Sequence, residues 1–379
     1  MAENGGPGAD AGRAVRNGKN RGRTGGKQPM TGKYMAYIGS YSYTGNAKGI
    51  SVYDVDVEEG SFIFRCEVEV DNSSYLKASQ NGKILYSIAD EGVVAFRILQ
   101  NGSLSRLNSA NIKGMRGRHL STSKDDSYIF VSGFHDGKET VLRLRPDGSV
   151  GRITDGVFHK GLGSVAERSF RPHVSCSRLT PDERFLMVCD LGIDQIKVYR
   201  FDKKEGRISL ADTIRCELES APKYFMFSSD GRFFYVLYEM KNVIDVYSYQ
   251  EGERNPIVEK IQTIPTTGTE PGQLTAACAM HFSPDEKYLF CSNAGENTVS
   301  MYERDEETGM LTMRFCLPIS GDYPKDIAIF PDGKHLASIN HEGTVSFFKI
   351  DYEKGLLVMS RRSMRVNEPN CCEIVKIGE

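Results

Sequence analysis

The stretch "RLTPDERFLMVCD" (178–190) is one of four segments that share a single pattern. The others are "MFSSDGRFFYVLYE" (226–239), "HFSPDEKYLFCSN" (281–293) and "AIFPDGKHLASIN" (328–340). Each alternates apolar and polar residues, turns at an Asp, and continues with a second apolar run. Alternation with a period of two and frequent Val, Ile, Tyr and Phe favour strands, and Asp beside Pro or Gly suits a tight turn. The segments therefore predict four copies of one β-hairpin.

The repeat extends further along the chain. Two weaker copies, "KASQNGKILYSIAD" (77–90) and "STSKDDSYIFVSG" (121–133), precede the four strong ones, and two more short strands follow each hairpin. The turn positions lie 44 to 57 residues apart, at Asn81, Asp125, Asp182, Asp230, Asp285 and Asp332. Four short strands in each unit of about 40 to 50 residues are typical of a β-propeller.

The two ends of the chain predict one more blade. Residues 34–70 supply the second, third and fourth strands of a unit, and "NEPNCCEIVKI" (367–377) supplies a lone first strand. Pairing the two would close the ring and remove an open sheet edge. We predict an all-β protein, a seven-bladed β-propeller of four-stranded antiparallel blades. The chain has no Trp, which argues against the WD40 class with its Trp-Asp pair.

Composition bounds the remaining possibilities. Residues 1–33 are rich in Gly, Arg and Lys and predict a disordered tail, whereas residues 34–379 predict a single propeller domain. A net charge of −2 gives the folded domain no general attraction to nucleic acid or to membranes, and no run of about 18 apolar residues predicts a membrane span. The nine cysteines form no CxxC pair, which favours a cytoplasmic protein with reduced thiols. We expect a monomer or a weak oligomer.

The repeat register also locates a candidate site. The first strand of each blade lines the channel, and the end of the second strand lies at the same mouth. Seven positions before each turn stand Ser74, Arg118, Ser175, Lys223, Cys278 and Lys325. The second strands end at Asp90, Asp190, Glu239, Asn293 and Asn340. Three cations at one register predict a site for a small anionic ligand, a carboxylate or a phosphate.

Structural roles compete with this interpretation. Asp and Asn before turns commonly cap the local backbone, which would account for Asp90, Asp190 and Asn340. Glu239 could serve as the salt-bridge partner of a neighbouring Lys. His173, which follows Arg171 and Pro172 at the channel lip, could be structural or functional.

Several of these motifs resemble those of a known family. "YIGSYS" (37–42), "RPHVS" (171–175), "CDLGIDQIKVY" (189–199), "SAPKYF" (220–225) and "DYPKDI" (322–327) resemble the seven-bladed propeller lactonases typified by propeller-type 6-phosphogluconolactonase. The fungal carboxy-muconate cyclases share that fold. The resemblance implies hydrolysis of a sugar-acid lactone at the channel mouth, in carbohydrate metabolism and specifically the pentose phosphate pathway. It also implies no metal and no organic cofactor.

The resemblance also implies roles for individual residues. The family's His after Pro matches His173, and its Glu at the end of a second strand matches Glu239, so these two are candidates for proton transfer. A family Arg falls on Lys223, and a second family Arg falls on Ala294. We therefore predict His173, Glu239 and Lys223 as catalytic. The predicted substrate-binding residues are Arg118, Lys325, Arg171, Asn293, Asn340 and Asp190.

Two other functions remain open at this point. The propeller could bind an anionic metabolite or a protein partner without catalysis. It could also be a calcium-dependent lactonase, because carboxylate and amide oxygens are suitable calcium ligands. The residues that would form such a set are Glu239, Asn293, Asp190 and Asn340.

Overall fold

The computed structural model describes residues 33–163, 170–270, 272 and 274–378. These residues contain 28 strands in seven four-stranded antiparallel sheets, which confirms the predicted seven-bladed propeller. The predicted tail, residues 1–33, lies outside the described residues apart from Lys33, which begins the first strand. Within the described residues there is no helix with the length and apolarity needed to cross a membrane.

The strands follow the chain in blade order, with the ring beginning part-way through one blade. The incomplete N-terminal blade contributes β1 (Lys33–Ser40), β2 (Gly49–Asp56) and β3 (Ser61–Glu69). Blades 1 to 3 comprise β4 (Leu76–Ala78), β5 (Ile84–Ala89), β6 (Gly92–Ile98), β7 (Leu104–Asn111), β8 (His119–Thr122), β9 (Tyr128–Gly133), β10 (Lys138–Leu144), β11 (Val150–Phe158), β12 (Val174–Leu179), β13 (Phe185–Asp190), β14 (Gln195–Asp202) and β15 (Arg207–Arg215). Blades 4 to 6 comprise β16 (Pro222–Phe227), β17 (Phe233–Tyr238), β18 (Val243–Gln250), β19 (Ile257–Pro265), β20 (Ala276–Phe282), β21 (Tyr288–Ala294), β22 (Thr298–Arg304), β23 (Leu311–Pro318), β24 (Pro324–Ile329), β25 (His335–Asn340), β26 (Thr344–Asp351) and β27 (Leu356–Arg365). The incomplete N-terminal blade is blade 7, and β28 (Pro369–Ile377) completes it as its inner strand.

The C-terminal strand closes the ring as predicted. β28 pairs antiparallel with β1, from Lys33 opposite Ile377 to Ser40 opposite Pro369. Each inner strand also contacts the inner strand of the next blade, and β28 contacts β4 of blade 1. The last strand of the chain therefore supplies the backbone partners that β1 would otherwise lack.

The core consists of interfaces between blades. Seven apolar clusters occur among the described residues, one at each junction of neighbouring blades. At the junction of blades 6 and 7, for example, Phe330 stacks on Phe62 at 5.3 Å, and Phe347 meets the same ring edge-on at 5.2 Å. Every blade therefore depends on both of its neighbours to bury its apolar side chains.

The Asp turns lie on the face opposite the site and join adjacent blades. In blade 5, Ser283 donates a hydrogen bond to Asp285 at 2.7 Å, and the next residue, Glu286, has a left-handed φ of 54°. This conformation is unfavourable for a non-glycine residue. The Glu286 carboxylate accepts a hydrogen bond from the backbone N–H of Ser229 in blade 4, at 2.9 Å. That inter-blade contact explains an acidic residue where blades 1, 4 and 6 have Gly.

Candidate functional site

The site is built on a β-bulge that recurs in the inner strands. In blades 3 to 7 the pairing of the inner strand with the second strand skips one residue. A bulged residue leaves the ladder, and its side chain is re-aimed. The skipped residues are Ser175, Lys223, Cys278, Lys325 and Asn370.

Ser74 and Arg118 occupy the corresponding positions in blades 1 and 2, just ahead of the inner strands. Together with the five bulged residues they form what we call the bulge ring. All seven residues of the bulge ring line a single cavity of about 250 Å³. The structure therefore brings together all six register positions that were counted from the sequence.

Aromatic and cationic side chains form the rim of this cavity. The guanidinium carbon of Arg118 lies 5.2 Å from the centre of the Phe134 ring, and that of Arg116 lies 5.2 Å from the Tyr41 ring. Arg116 also donates to the Asp90 carboxylate at 3.0 Å. These contacts hold the two arginines in place while leaving them as part of the cavity lining.

Lys325 is a bulge-ring cation whose charged form is destabilised by its surroundings. Burial, together with the nearby charges of Lys223 and Arg118, lowers its pKa to about 8. Its ammonium lies 5.3 Å from the centre of the Tyr323 ring, a cation–π contact. Cations crowded around one cavity favour an anionic ligand.

Lys223 is held in a buried ion pair. Its ammonium lies 2.8 Å from Oε2 of Glu239 and donates to the carbonyl oxygen of Ala277 at 3.2 Å. Burial acts to lower the pKa of Lys223, but its interactions with Cys278 and Glu239 outweigh burial and raise that pKa. Glu239 is only 8% exposed and lies outside the cavity lining, whereas its partner Lys223 lines the cavity.

His173 stands behind the cavity wall. Its ring stacks on Phe134 with centroids 4.3 Å apart, and its Nδ1 lies 2.7 Å from the Phe134 carbonyl oxygen. Phe134 lines the cavity, whereas His173 does not. Arg171, also outside the lining, is exposed and lies against the ring of Phe170, 5.5 Å from its centre.

Asp190, Asn293 and Asn340 are fully buried and anchor the connections that lead from the preceding blade into their own. Asp190 accepts a hydrogen bond from the backbone N–H of His173 at 2.8 Å. Asn293 donates to the carbonyl oxygen of Thr266 at 2.7 Å, and Asn340 donates to the Ser320 carbonyl oxygen at 3.3 Å. The structure does not bring these three predicted ligand-binding residues into the cavity lining. It places them in the backbone-capping role that the sequence left open.

Sequence reasoning missed part of the site. Asn370 of the bulge ring was missed because no Asp turn follows β28, so there was nothing to count from. Beneath the ring, His281 and Asp326 also line the cavity, and His281 Nε2 lies 2.8 Å from Asp326 Oδ1. Polar residues within otherwise apolar inner strands were the signal that could have revealed this pair.

The comparison with known families agrees with this architecture. A family model described as "Lactonase, 7-bladed beta-propeller" matches residues 35–374. The chain belongs to this family. The resemblance to the propeller lactonases that was seen in the sequence is thereby confirmed.

Individual relatives cover nearly the whole chain. A 6-phosphogluconolactonase of Bacillus subtilis (strain 168) is 26% identical over 353 residues, which cover 90% of this chain and 99% of the relative. A solved structure from Bacteroides fragilis, provisionally named a 6-phosphogluconolactonase, is 29% identical with a TM-score of 0.83, covering 92% of this chain and 100% of its own. The periplasmic gluconolactonase of Pseudomonas aeruginosa shares the fold, with a TM-score of 0.85 at 24% identity, covering 91% and 100% of the two chains.

Proposed function

We propose that this lactonase-family chain hydrolyses an anionic sugar-acid lactone, such as 6-phosphogluconolactone, in the bulge-ring cavity and without a metal ion. The observation that carries the proposal is the convergence of Arg118, Lys223 and Lys325 on one cavity. A 26% identical relative named 6-phosphogluconolactonase supports the choice of substrate. The cytoplasmic location and the role in the pentose phosphate pathway remain predictions.

The three cations can have different roles, in substrate binding and in catalysis. Arg118 and Lys325 would bind the anionic group of the substrate. Lys223, fixed by Glu239 at 2.8 Å, would face the lactone carbonyl and stabilise the negative charge that develops on its oxygen. Preorganised charge of this kind is commonly the largest contribution to acyl-transfer catalysis. His173 would act by supporting Phe134, the wall against which the substrate rests.

The four residues that were considered as calcium ligands do not face a common point, which supports hydrolysis without a metal ion. Asp190, Asn293 and Asn340 bond to the connections that lead into their blades, and Glu239 pairs with Lys223. Within the part of the chain that the structure describes, no group of three or more His, Cys, Asp or Glu side chains is arranged to hold a metal. A calcium site would need the carboxylate and amide oxygens of Glu239, Asn293, Asp190 and Asn340 to converge on one point.

The proposal is tested with purified protein and a lactone panel that includes 6-phosphogluconolactone and unphosphorylated gluconolactone, each corrected for spontaneous hydrolysis. We expect a rate above background that favours the phosphorylated lactone and persists in EDTA. Lys223→Met should abolish this rate, whereas Lys334→Met, which changes an exposed lysine on the opposite face, should not.

Different negative results would refute different parts of the proposal. Background rates on every lactone would refute the lactonase proposal, and stabilisation by 6-phosphogluconate without turnover would support the non-catalytic alternative. A rate that is lost in EDTA and restored by calcium would refute metal independence alone.

A further inference from the structure

We propose that His281, oriented by Asp326, takes the proton from the water molecule that attacks the lactone carbonyl. This inference rests on the lactonase activity proposed above and adds to it the group that transfers the proton. Neither Glu239 nor His173 lines the cavity, whereas both members of the His281–Asp326 pair do.

Asp326 is held as a rigid orienting carboxylate. It is 8% exposed, and its Oδ1 accepts hydrogen bonds from His281 at 2.8 Å and from the backbone N–H of Ile327 at 2.9 Å. Its Oδ2 accepts a hydrogen bond from the backbone N–H of Cys372 on β28, also at 2.9 Å. The carboxylate is therefore fixed by two inner strands, and it fixes the imidazole in turn.

The bond to Asp326 also determines which ring nitrogen can act as a base. A carboxylate accepts from Nε2–H, so the neutral ring carries its lone pair on Nδ1. Among the described residues, Nδ1 of His281 makes no hydrogen bond. The side chain is 33% exposed, and because His281 lies on an inner strand and lines the cavity, this exposure is to the channel. A water molecule in the cavity can occupy the position next to Nδ1.

The other histidines of the cavity lack this arrangement. His119 is 2% exposed and lies near the Cys176 thiol and the backbone N–H of Ser177. Burial lowers its pKa well below the usual value. His135 stands at the rim. Neither has a carboxylate partner within hydrogen-bond distance among the described residues, so neither is oriented as His281 is.

The proposed step conserves atoms and charge. Nδ1 of His281 accepts a proton as the water oxygen bonds the carbonyl carbon, and the carbonyl π electrons move onto its oxygen, near the Lys223 ammonium. When the tetrahedral intermediate collapses, the bond to the ring oxygen breaks, and that oxygen takes the proton from Nδ1. The product is the open hydroxy acid, which loses its proton to solvent, and His281 returns to its neutral form.

The test uses the full-length chain and 6-phosphogluconolactone. His281→Ala should lower kcat by about 100-fold or more, the range of a general base, and added imidazole should restore part of the rate. Asp326→Asn should lower kcat with less effect on KM. The matched control is His335→Gln, which breaks a His–Asp pair of 2.9 Å on the opposite face and should leave kcat unchanged. Thermal unfolding of each variant shows whether the fold is intact.

The outcomes separate the two proposals. An active wild-type chain with a fully active, folded His281→Ala variant overturns the role of His281 and leaves the lactonase function standing. A wild-type chain without turnover overturns both. A loss of activity that imidazole does not restore, or that His335→Gln shares, indicates a structural role and also overturns the inference. If His281→Ala does not fold, His281→Gln and Asp326→Asn decide by their kcat values.

Discussion

Replacing Lys325 with Met is expected to stabilise the fold at neutral pH while it weakens binding of an anionic ligand. The pKa of Lys325 falls from 10.5 to about 8, because of burial and the nearby charges of Lys223 and Arg118. One pKa unit corresponds to about 1.4 kcal/mol, so its charge costs the folded state up to roughly 3 kcal/mol. The cation–π contact with Tyr323 offsets about 0.5–1 kcal/mol of this cost. The variant should gain about 2 kcal/mol at pH 7.

The pH dependence follows from the sign of the shift. Below pH 8 Lys325 is protonated in both the folded and the unfolded state, so the folded state carries the whole cost. Between about pH 8 and pH 10.5 the folded state releases the proton first, and the stability of the wild-type chain recovers as the pH rises. The advantage of Lys325→Met should therefore be largest at pH 7 and small near pH 10.

Thermal and urea unfolding at pH 7 and pH 10 measure this difference. With an unfolding entropy of about 2.1 cal/mol/K per residue, a gain of about 2 kcal/mol corresponds to a rise in Tm of roughly 3 °C. Lys325→Arg retains the charge and should not stabilise, and Lys334→Met, on the opposite face, should show no pH-dependent gain. A destabilised Lys325→Met variant at pH 7, or an equal gain at both pH values, would refute the electrostatic argument.

Three further predictions concern the same site and ring. Glu239→Gln should destabilise the fold by about 3–5 kcal/mol, because it leaves the Lys223 ammonium buried without its carboxylate. In urea unfolding, the double variant with Lys223→Met should recover most of this loss. An unchanged midpoint for the single variant would count against this prediction. Binding of 6-phosphogluconate, measured by calorimetry, should weaken by up to about tenfold from pH 7 to pH 9, because Lys325 loses its proton over this range. An equal pH dependence of binding in Lys325→Met would contradict this explanation. Truncation before residue 369 removes β28 and exposes the edges of β1, so we expect aggregates in size-exclusion chromatography rather than a soluble monomer.

The blades could be predicted from sequence because each carries the same local information. The Asp turn and period-two alternation recur from Asn81 to Asp332, and repeated units that bury their faces only against neighbours require a ring. The closing strand followed from the same reasoning, because residues 367–377 match a first strand that lacks the rest of its blade. The contacts that join the turns, such as Glu286 to Ser229, depend on the distance between blades and could not be read from one repeat.

The site was only partly predictable for a geometric reason. Counting from the turns finds one residue per inner strand, and it found Arg118, Lys223 and Lys325. It also gave equal weight to the ends of the second strands, although these lie one strand away from the channel. There Asp190 and Asn293 turn into the blade and satisfy buried backbone groups. Sequence spacing alone cannot distinguish a polar residue that faces a cavity from one that caps a loop.

The bulges explain how a repetitive fold carries a site with little repetition. The residues on either side of a bulge, such as Pro222 and Tyr224, stay in the ladder, and their side chains are oriented by the pairing with the second strand. A bulged residue is released from that pairing, so the bulge ring can hold Lys223, Cys278, Lys325 and Asn370 in successive blades without displacing the apolar side chains that pack between the blades. Ligand preference in this propeller can therefore change at seven positions while the packing between the blades remains the same.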